Sequence, residues 1–190
     1  MLDGIALWSR DHTNFAVLLD LLERQLDLFH EGESADYGLM LDIMFYMTHY
    51  TDLVHHPRED LAFARIKERE PGVEAVVAEL EAQHVVLKQA GEALTRALDD
   101  VVNGSITSRD HVETPARRYL QTFRGHMERE EATLMPLLQG LLRQRDWLAI
   151  DAQIQHIEDP VFGKNFDERY AALRRQIARE AQISASAALR

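Results

Sequence analysis

The chain has 190 residues, 46% of them hydrophobic and 28% charged, a balance that fits one soluble globular unit rather than a disordered or fibrous one. A formal charge of −11 opposes binding to phosphate backbones, and no apolar run approaches the roughly 18–20 residues that span a bilayer, so neither nucleic acid nor a membrane is an expected partner. Cysteine is absent, which removes disulfides, thiolate nucleophiles and iron–sulfur clusters and leaves His, Asp and Glu as the strong ligands.

In chain order, a first helix runs from about Ile5 to His30, with Trp8, His12, Phe15, Leu19, Leu22, Leu26 and Phe29 recurring at steps of four and three. The stretch from His30 to Asp36 breaks it. A second helix carries Leu41, Met44, Thr48, Thr51, His55, Glu59, Ala62 and Ile66 on one stripe, and Pro71-Gly72 punctuates the chain after it. The third holds Val77, Leu80, His84, Leu87, Gly91, Leu94 and Leu98 in one register and stops at Asn103-Gly104-Ser105. After Asp110 a fourth presents Ala116, Tyr119, Phe123, His126, Glu130, Leu134 and Leu137. Two shorter amphipathic pieces follow, one with Trp147, Ile150, Ile154 and Ile157, the other with Phe166, Tyr170, Leu173 and Ile177.

The pattern predicts an all-α, up-down antiparallel four-helix bundle over residues 1–143, C-terminal helices packed on it over 144–182, and a flexible tail over 183–190. The opening MLDGIALWSRDH lacks a basic stretch followed by an apolar one, so a cytoplasmic location is expected.

Each of the four apolar seams contains residues foreign to a core. In antiparallel neighbours, residues equidistant from the connecting turn lie level. The midpoint of His12 and His55 falls in the Gly32-Glu33-Ser34 break, that of Glu59 and His84 between Pro71 and Gly72, and that of His84 and His126 on Ser105. At ~1.5 Å of rise per residue, small errors in these turns still leave the four histidines in one layer. His55 with Glu59 and His126 with Glu130 are four residues apart, which places each pair on one helix face. Unpartnered imidazoles and carboxylates are costly to bury, and a cation offsets that cost. Four His and two Glu exceed what one tetrahedral zinc needs. They suit a dinuclear site with His12 and His55 towards one ion, His84 and His126 towards the other, and Glu59 and Glu130 bridging.

The order His12, His55-His-Pro-Arg-Glu59, His84 and His126-Met-Glu-Arg-Glu130 resembles the hemerythrin-like HHE cation-binding family over roughly the first three-quarters of the chain. The resemblance implies a centre of two iron ions, commonly oxo- or hydroxo-bridged, that binds dioxygen, responds to peroxide or nitric oxide, or senses iron. Oxygen-carrying hemerythrins place two histidines one turn apart on the third helix, whereas the neighbours of His84 at that spacing are Leu80 and Lys88. They also space the last carboxylate five residues after its histidine, which nominates Glu131. At ~100° per residue regular geometry favours Glu130, and a π-bulge would reverse the choice.

Single residues carry competing readings. His56, one residue past His55, reads as a rim residue or hydrogen-bond donor to a ligand, with ligation as the minority reading. Pro57 predicts a kink at the level of the layer, because it clashes with the carbonyl of Leu53. Asp60 and Glu128 read as solvated or hydrogen-bonded to ligands, Tyr50 as a packed tyrosine, and His30, His49, His111 and His156 as surface residues.

Two rivals stand beside the di-iron reading. A ferritin-like oxidase would use Glu81-Ala-Gln-His84, for which only Asp52-Leu-Val-His55 resembles a partner motif. A metal-free helical interaction module would satisfy the polar seam residues with ordinary hydrogen bonds. The expected partners are a small oxidant, a redox or signalling protein that the sequence does not identify, and a second copy of the chain.

Overall fold

The computed structural model describes residues 4–154, 157–165 and 167–188, with side chains described through residue 179. His156 and Phe166 lie outside the described residues. No strand occurs among the described residues.

Four long helical rods form the bundle, and each ends where the sequence supplies a stop. Helix α1 (Gly4–Glu31) terminates at Gly32, whose φ of 79° lets the Glu33 N–H turn back to the Leu28 carbonyl at 2.9 Å. Asp36 then caps the second rod, its carboxylate accepting from the Leu39 N–H at 2.9 Å. This rod comprises α2 (Tyr37–Tyr50), a π-helical turn over Thr51–His55 and α3 (His56–Arg69). A short 3-10 turn at Pro71–Val73 leads into α4 (Glu74–Val102). Gly104, at φ 76°, closes α4 by freeing the Ser105 N–H for the Asp100 carbonyl at 2.9 Å. Helix α5 (Asp110–Leu141) completes the bundle.

The packing closes a ring, with α1 against α2 and α5, and α4 against α2 and α5. Helix α6 (Gln144–Asp151) packs on α3, and α7 (Ala171–Ala188) packs on α2. Between them Asp159 is buried. It accepts from the Tyr46 hydroxyl at 3.0 Å and from the N–H groups of Val161 and Phe162 at 2.8 Å each, which fixes the connecting segment to α2. Asp146 at the start of α6 takes a forked contact from Arg69, at 2.6 and 3.0 Å, and accepts from the Arg143 N–H at 2.8 Å.

Two apolar clusters fill the interior. The larger contains Phe15, Leu22, Met44, Leu87, Leu94 and Phe123; the smaller contains Trp8, Phe63, Ile66, Leu80, Leu134 and Trp147. The polar layer lies between them in sequence on every rod, so the site interrupts a core that is continuous above and below it.

The kink expected at Pro57 is instead a π turn directly before the proline, with the His56 N–H reaching the Thr51 carbonyl five residues back. A proline lacks the N–H that an α-helix would require there, and its ring would strike the carbonyl four residues back. A wider turn relieves the crowding without ending the rod. Five-residue spacing also advances each side chain by a smaller angle than an α turn, which bears directly on His55 and His56.

Candidate metal centre

All four rods deliver side chains to one depth. His12 from α1, His55 from the π turn, Glu59 from α3, His84 from α4, and His126 with Glu130 from α5 are all buried and adjacent. The Nε2 of His55 lies 2.9 Å from Glu59 Oε1, a charge contact without hydrogen-bond alignment. Glu59 Oε2 is 3.4 Å from His84 Nε2. Glu130 Oε2 is 3.4 Å from His12 Nε2, and its Oε1 is 3.3 Å from His126 Nε2. Each of the two glutamates therefore reaches from the His12 side of the layer to the His84 side, since His12 Nε2 is 3.7 Å from Glu59 and His84 Nε2 is 3.8 Å from Glu130.

His56 does not sit at the rim. It is buried, its ring stacks on that of His84 with centroids 4.3 Å apart and planes at 13°, and its Nε2 faces inward without a partner. The ligand-type atoms of His56, Glu59, His84 and His126 all lie within 4.8 Å of one another, as do those of His12, His55 and Glu59. The extrapolation of ~100° from His55 fails here because the π turn changes the phase of the helix where the two histidines lie.

Helix α5 is regular through the layer, so Glu130 faces in while Glu131 is 53% exposed. Glu131 still has a role: its Oε1 accepts from His12 Nδ1 at 2.9 Å. The same arrangement recurs around the layer. Asp60 accepts from His84 Nδ1 at 2.9 Å, the Gln83 amide oxygen from His126 Nδ1 at 3.0 Å, and the buried Asp11 from His55 Nδ1 at 3.4 Å. Asp52 Oδ1 lies 3.4 Å from His56 Nδ1. The rings of His12, His55, His84 and His126 are hydrogen-bonded from outside, which fixes their tautomers and turns Nε2 towards the centre.

Asp11 and Gln83 are the residues that sequence spacing does not find. Each neighbours one histidine in sequence and serves another in space, across a helix interface.

The outcome at the centre is a set of orphaned atoms. The Nε2 atoms of His12, His56, His84 and His126 and all four carboxylate oxygens of Glu59 and Glu130 are buried without a hydrogen-bond partner. Such groups cost stability unless something pairs them, and a cation does so with the donors that are present.

Without metal the layer is balanced by protons. Burial opposes charge on His12, but contact with Glu130 and Glu59 outweighs it and raises the pKa to about 10. Burial likewise opposes charge on His84, and contacts with Asp60, Glu130 and Glu59 lift it to about 12. His55 is raised despite its burial, by the charge of Glu59 and by Asp11. Burial holds His56 well below the usual imidazole range, assisted by the neighbouring charge of His84, and it lowers His126 too. Burial works against charge on both glutamates, and the surrounding imidazoles overcome it to keep both ionised.

Other predicted residues stay apart. Glu81 ion-pairs with Lys67 at 2.8 Å on the outside of the bundle. His30 pairs with Glu113, His111 with Asp100, and His49 stacks on Phe45, all three exposed. Tyr50 is buried between Tyr46 and Phe15, and the edge of Phe15 meets His55 with ring centroids 4.8 Å apart. Glu128 is exposed.

An antiparallel helical bundle with histidines and glutamates converging from all four rods is the architecture of a cation-binding helical protein. The model of the hemerythrin HHE cation-binding domain matches residues 3–138, and the chain belongs to that family. No curated protein and no solved structure matches the chain. No helix among the described residues is long and apolar enough to cross a membrane.

Proposed function

We propose that the chain is a non-haem di-iron protein that handles or senses a small oxidant such as dioxygen, peroxide or nitric oxide. The observation that carries this reading is the set of orphaned Nε2 and carboxylate atoms at the centre, with His12, His84 and His126 each anchored from behind by an acceptor. Imidazole and carboxylate suit iron, and a carboxylate can bridge two cations. His12 and His55 would hold one ion, His84 and His126 the other, and Glu59 and Glu130 would bridge them. His56 joins the second group and supplies the imidazole that helix α4 lacks.

When bound, such a centre supplies reversible one-electron chemistry and a site for a diatomic or peroxide ligand. The rest of the work falls to the chain. Phe15, Phe63 and Phe123 exclude water around the layer, through ring contacts with His55, His84 and His56 respectively. Asp11, Asp60, Gln83 and Glu131 hold protons on the outer nitrogens, so the inner nitrogens stay available as donors.

The placement of Glu81 on the outside of the bundle counts against a ferritin-like oxidase, whose Glu-x-x-His motif would need it inside. A metal-free interaction module would leave the central atoms unpaired. Metal analysis with absorption spectroscopy tests the reading. We expect about two irons per chain and a near-ultraviolet oxo-to-ferric band, and one zinc or no metal sinks it. Rapid mixing of the reduced protein with dioxygen, peroxide and nitric oxide then identifies the ligand.

A further inference from the structure

Trp8 is 1% exposed, and its indole Nε1 is buried without an acceptor. Buried indoles usually find a hydrogen-bond partner, so the unpaired N–H calls for a reason. One edge of the ring faces the metal layer, with its centroid 6.4 Å from that of His55. The other side meets Trp147 in a T-shaped contact at 5.4 Å. Trp147 belongs to α6, outside the four-rod bundle, and at 9% is the more exposed of the two. It reaches Trp8 because residue 4 of α1 is glycine: a Cβ there would run into the Trp147 ring.

We propose that Trp8 and Trp147 form an electron route from the metal layer to the protein surface, with Trp147 as the group that is oxidised when peroxide reacts at the centre. The proposal rests on the di-iron reading. Indole is among the most easily oxidised side chains, and electron tunnelling falls steeply with distance, so two short steps outpace one long one. The unpaired Nε1 gives the route its direction. An oxidised Trp8 has no base to take its proton, so it regains its electron from Trp147, which lies closer to solvent.

Peroxide takes two electrons and two protons and becomes two waters. Trp147 delivers the electrons one at a time through Trp8. Trp147 and the solvent water that it adds release two protons, and the product is hydroxytryptophan, heavier by one oxygen atom.

The test treats the iron-loaded chain, first oxidised so that its irons are ferric and cannot supply the two electrons, with one equivalent of hydrogen peroxide and reads each tryptophan by peptide mass spectrometry, after iron content and helicity have been measured. Oxygen gain is expected at Trp147, lost in Trp8→Phe and absent from the metal-free chain. Equal oxidation of Trp147 in Trp8→Phe or in the metal-free chain overturns the route while leaving the metal reading intact. A parent chain that binds no iron overturns both. Should Trp8→Phe fail to fold, freeze-quenched electron paramagnetic resonance of the parent and of Trp147→Phe decides: a transient tryptophan radical must form after peroxide and live longer in Trp147→Phe, where nothing refills Trp8, and an unchanged lifetime or no radical overturns the route.

Discussion

The imidazoles of His56 and His84 lie face to face, 4.3 Å apart at 13°, although one belongs to the start of α3 and the other to the middle of α4. A charged imidazole against another is unfavourable, and burial with the charge of His84 keeps His56 neutral. A neutral ring with an inward, unpartnered Nε2 is the form that ligates metal.

His56→Ala is therefore expected to weaken one of the two ions selectively, leaving about one iron per chain, while the fold persists. His30→Ala, on an exposed histidine, serves as the control. Iron content per chain after gel filtration is the measurement. Full occupancy in His56→Ala removes that residue from the ligand set.

The adjacent Glu130 and Glu131 of α5 separate by role. Glu130→Ala should abolish binding of the pair of ions. Glu131→Ala removes only the acceptor behind His12 and should cost roughly 10–100-fold in metal affinity. Competition with a chelator ranks the two variants, and the reverse order would transfer the bridging role to Glu131.

Metal uptake near neutral pH should release protons. His12, with its pKa raised to about 10, and His84, at about 12, are protonated in the metal-free layer, and His55 is raised as well. These histidines stabilise the metal-free fold fully below the unfolded imidazole value of about 6.5, and that contribution fades as pH rises through their folded values. Ligation requires neutral rings, so affinity should climb with pH. Calorimetry in buffers of different ionisation enthalpy counts the protons, and a buffer-independent heat would refute the charged layer.

Acid should weaken the attachment of α6. Arg69 and the Arg143 N–H hold the Asp146 carboxyl well below the usual carboxylate range. Its stabilisation is present above the unfolded value near 3.9 and is lost as pH falls towards the folded one. Asp146→Asn should flatten the acid limb of thermal stability relative to the parent, and melting curves from pH 7 down to 3 check this.

Gly91→Ala should destabilise the bundle by about 1–3 kcal/mol, although alanine is the better helix former. An added Cβ would lie 2.8 Å from Thr48 Cγ2 and 3.3 Å from Tyr119, at the crossing of α2 and α4. Denaturant unfolding gives the value, and a variant as stable as the parent would mean that the crossing yields readily.

Much of the bundle and its polar layer is legible in the sequence. The steps of four and three fixed each rod and its inward face, because an α-helix returns to the same side at that interval. Gly32 and Gly104 marked where α1 and α4 had to stop, since each takes a left-handed conformation that other residues resist. Turn midpoints levelled His12, His55, His84 and His126, because antiparallel rods of equal rise keep equidistant residues opposite one another. Four-residue spacing put Glu59 and Glu130 beside their histidines, and α5 kept the regular geometry on which the choice of Glu130 over Glu131 depended.

Other features belonged to the tertiary structure alone. Pro57 announced a disturbance of the helix but not its form, and the form decided His56: a π turn shifts the angular phase by an amount that no residue count along an ideal helix supplies. Asp11 and Gln83 hold histidines on other rods, and contacts across an interface leave no fixed interval in the chain. The pairing of Trp8 with Trp147 likewise joins the start of the chain to a helix outside the bundle, through a gap that only a glycine at position 4 leaves open. Periodicity reports the face that a residue presents; only the packed rods determine what that face meets.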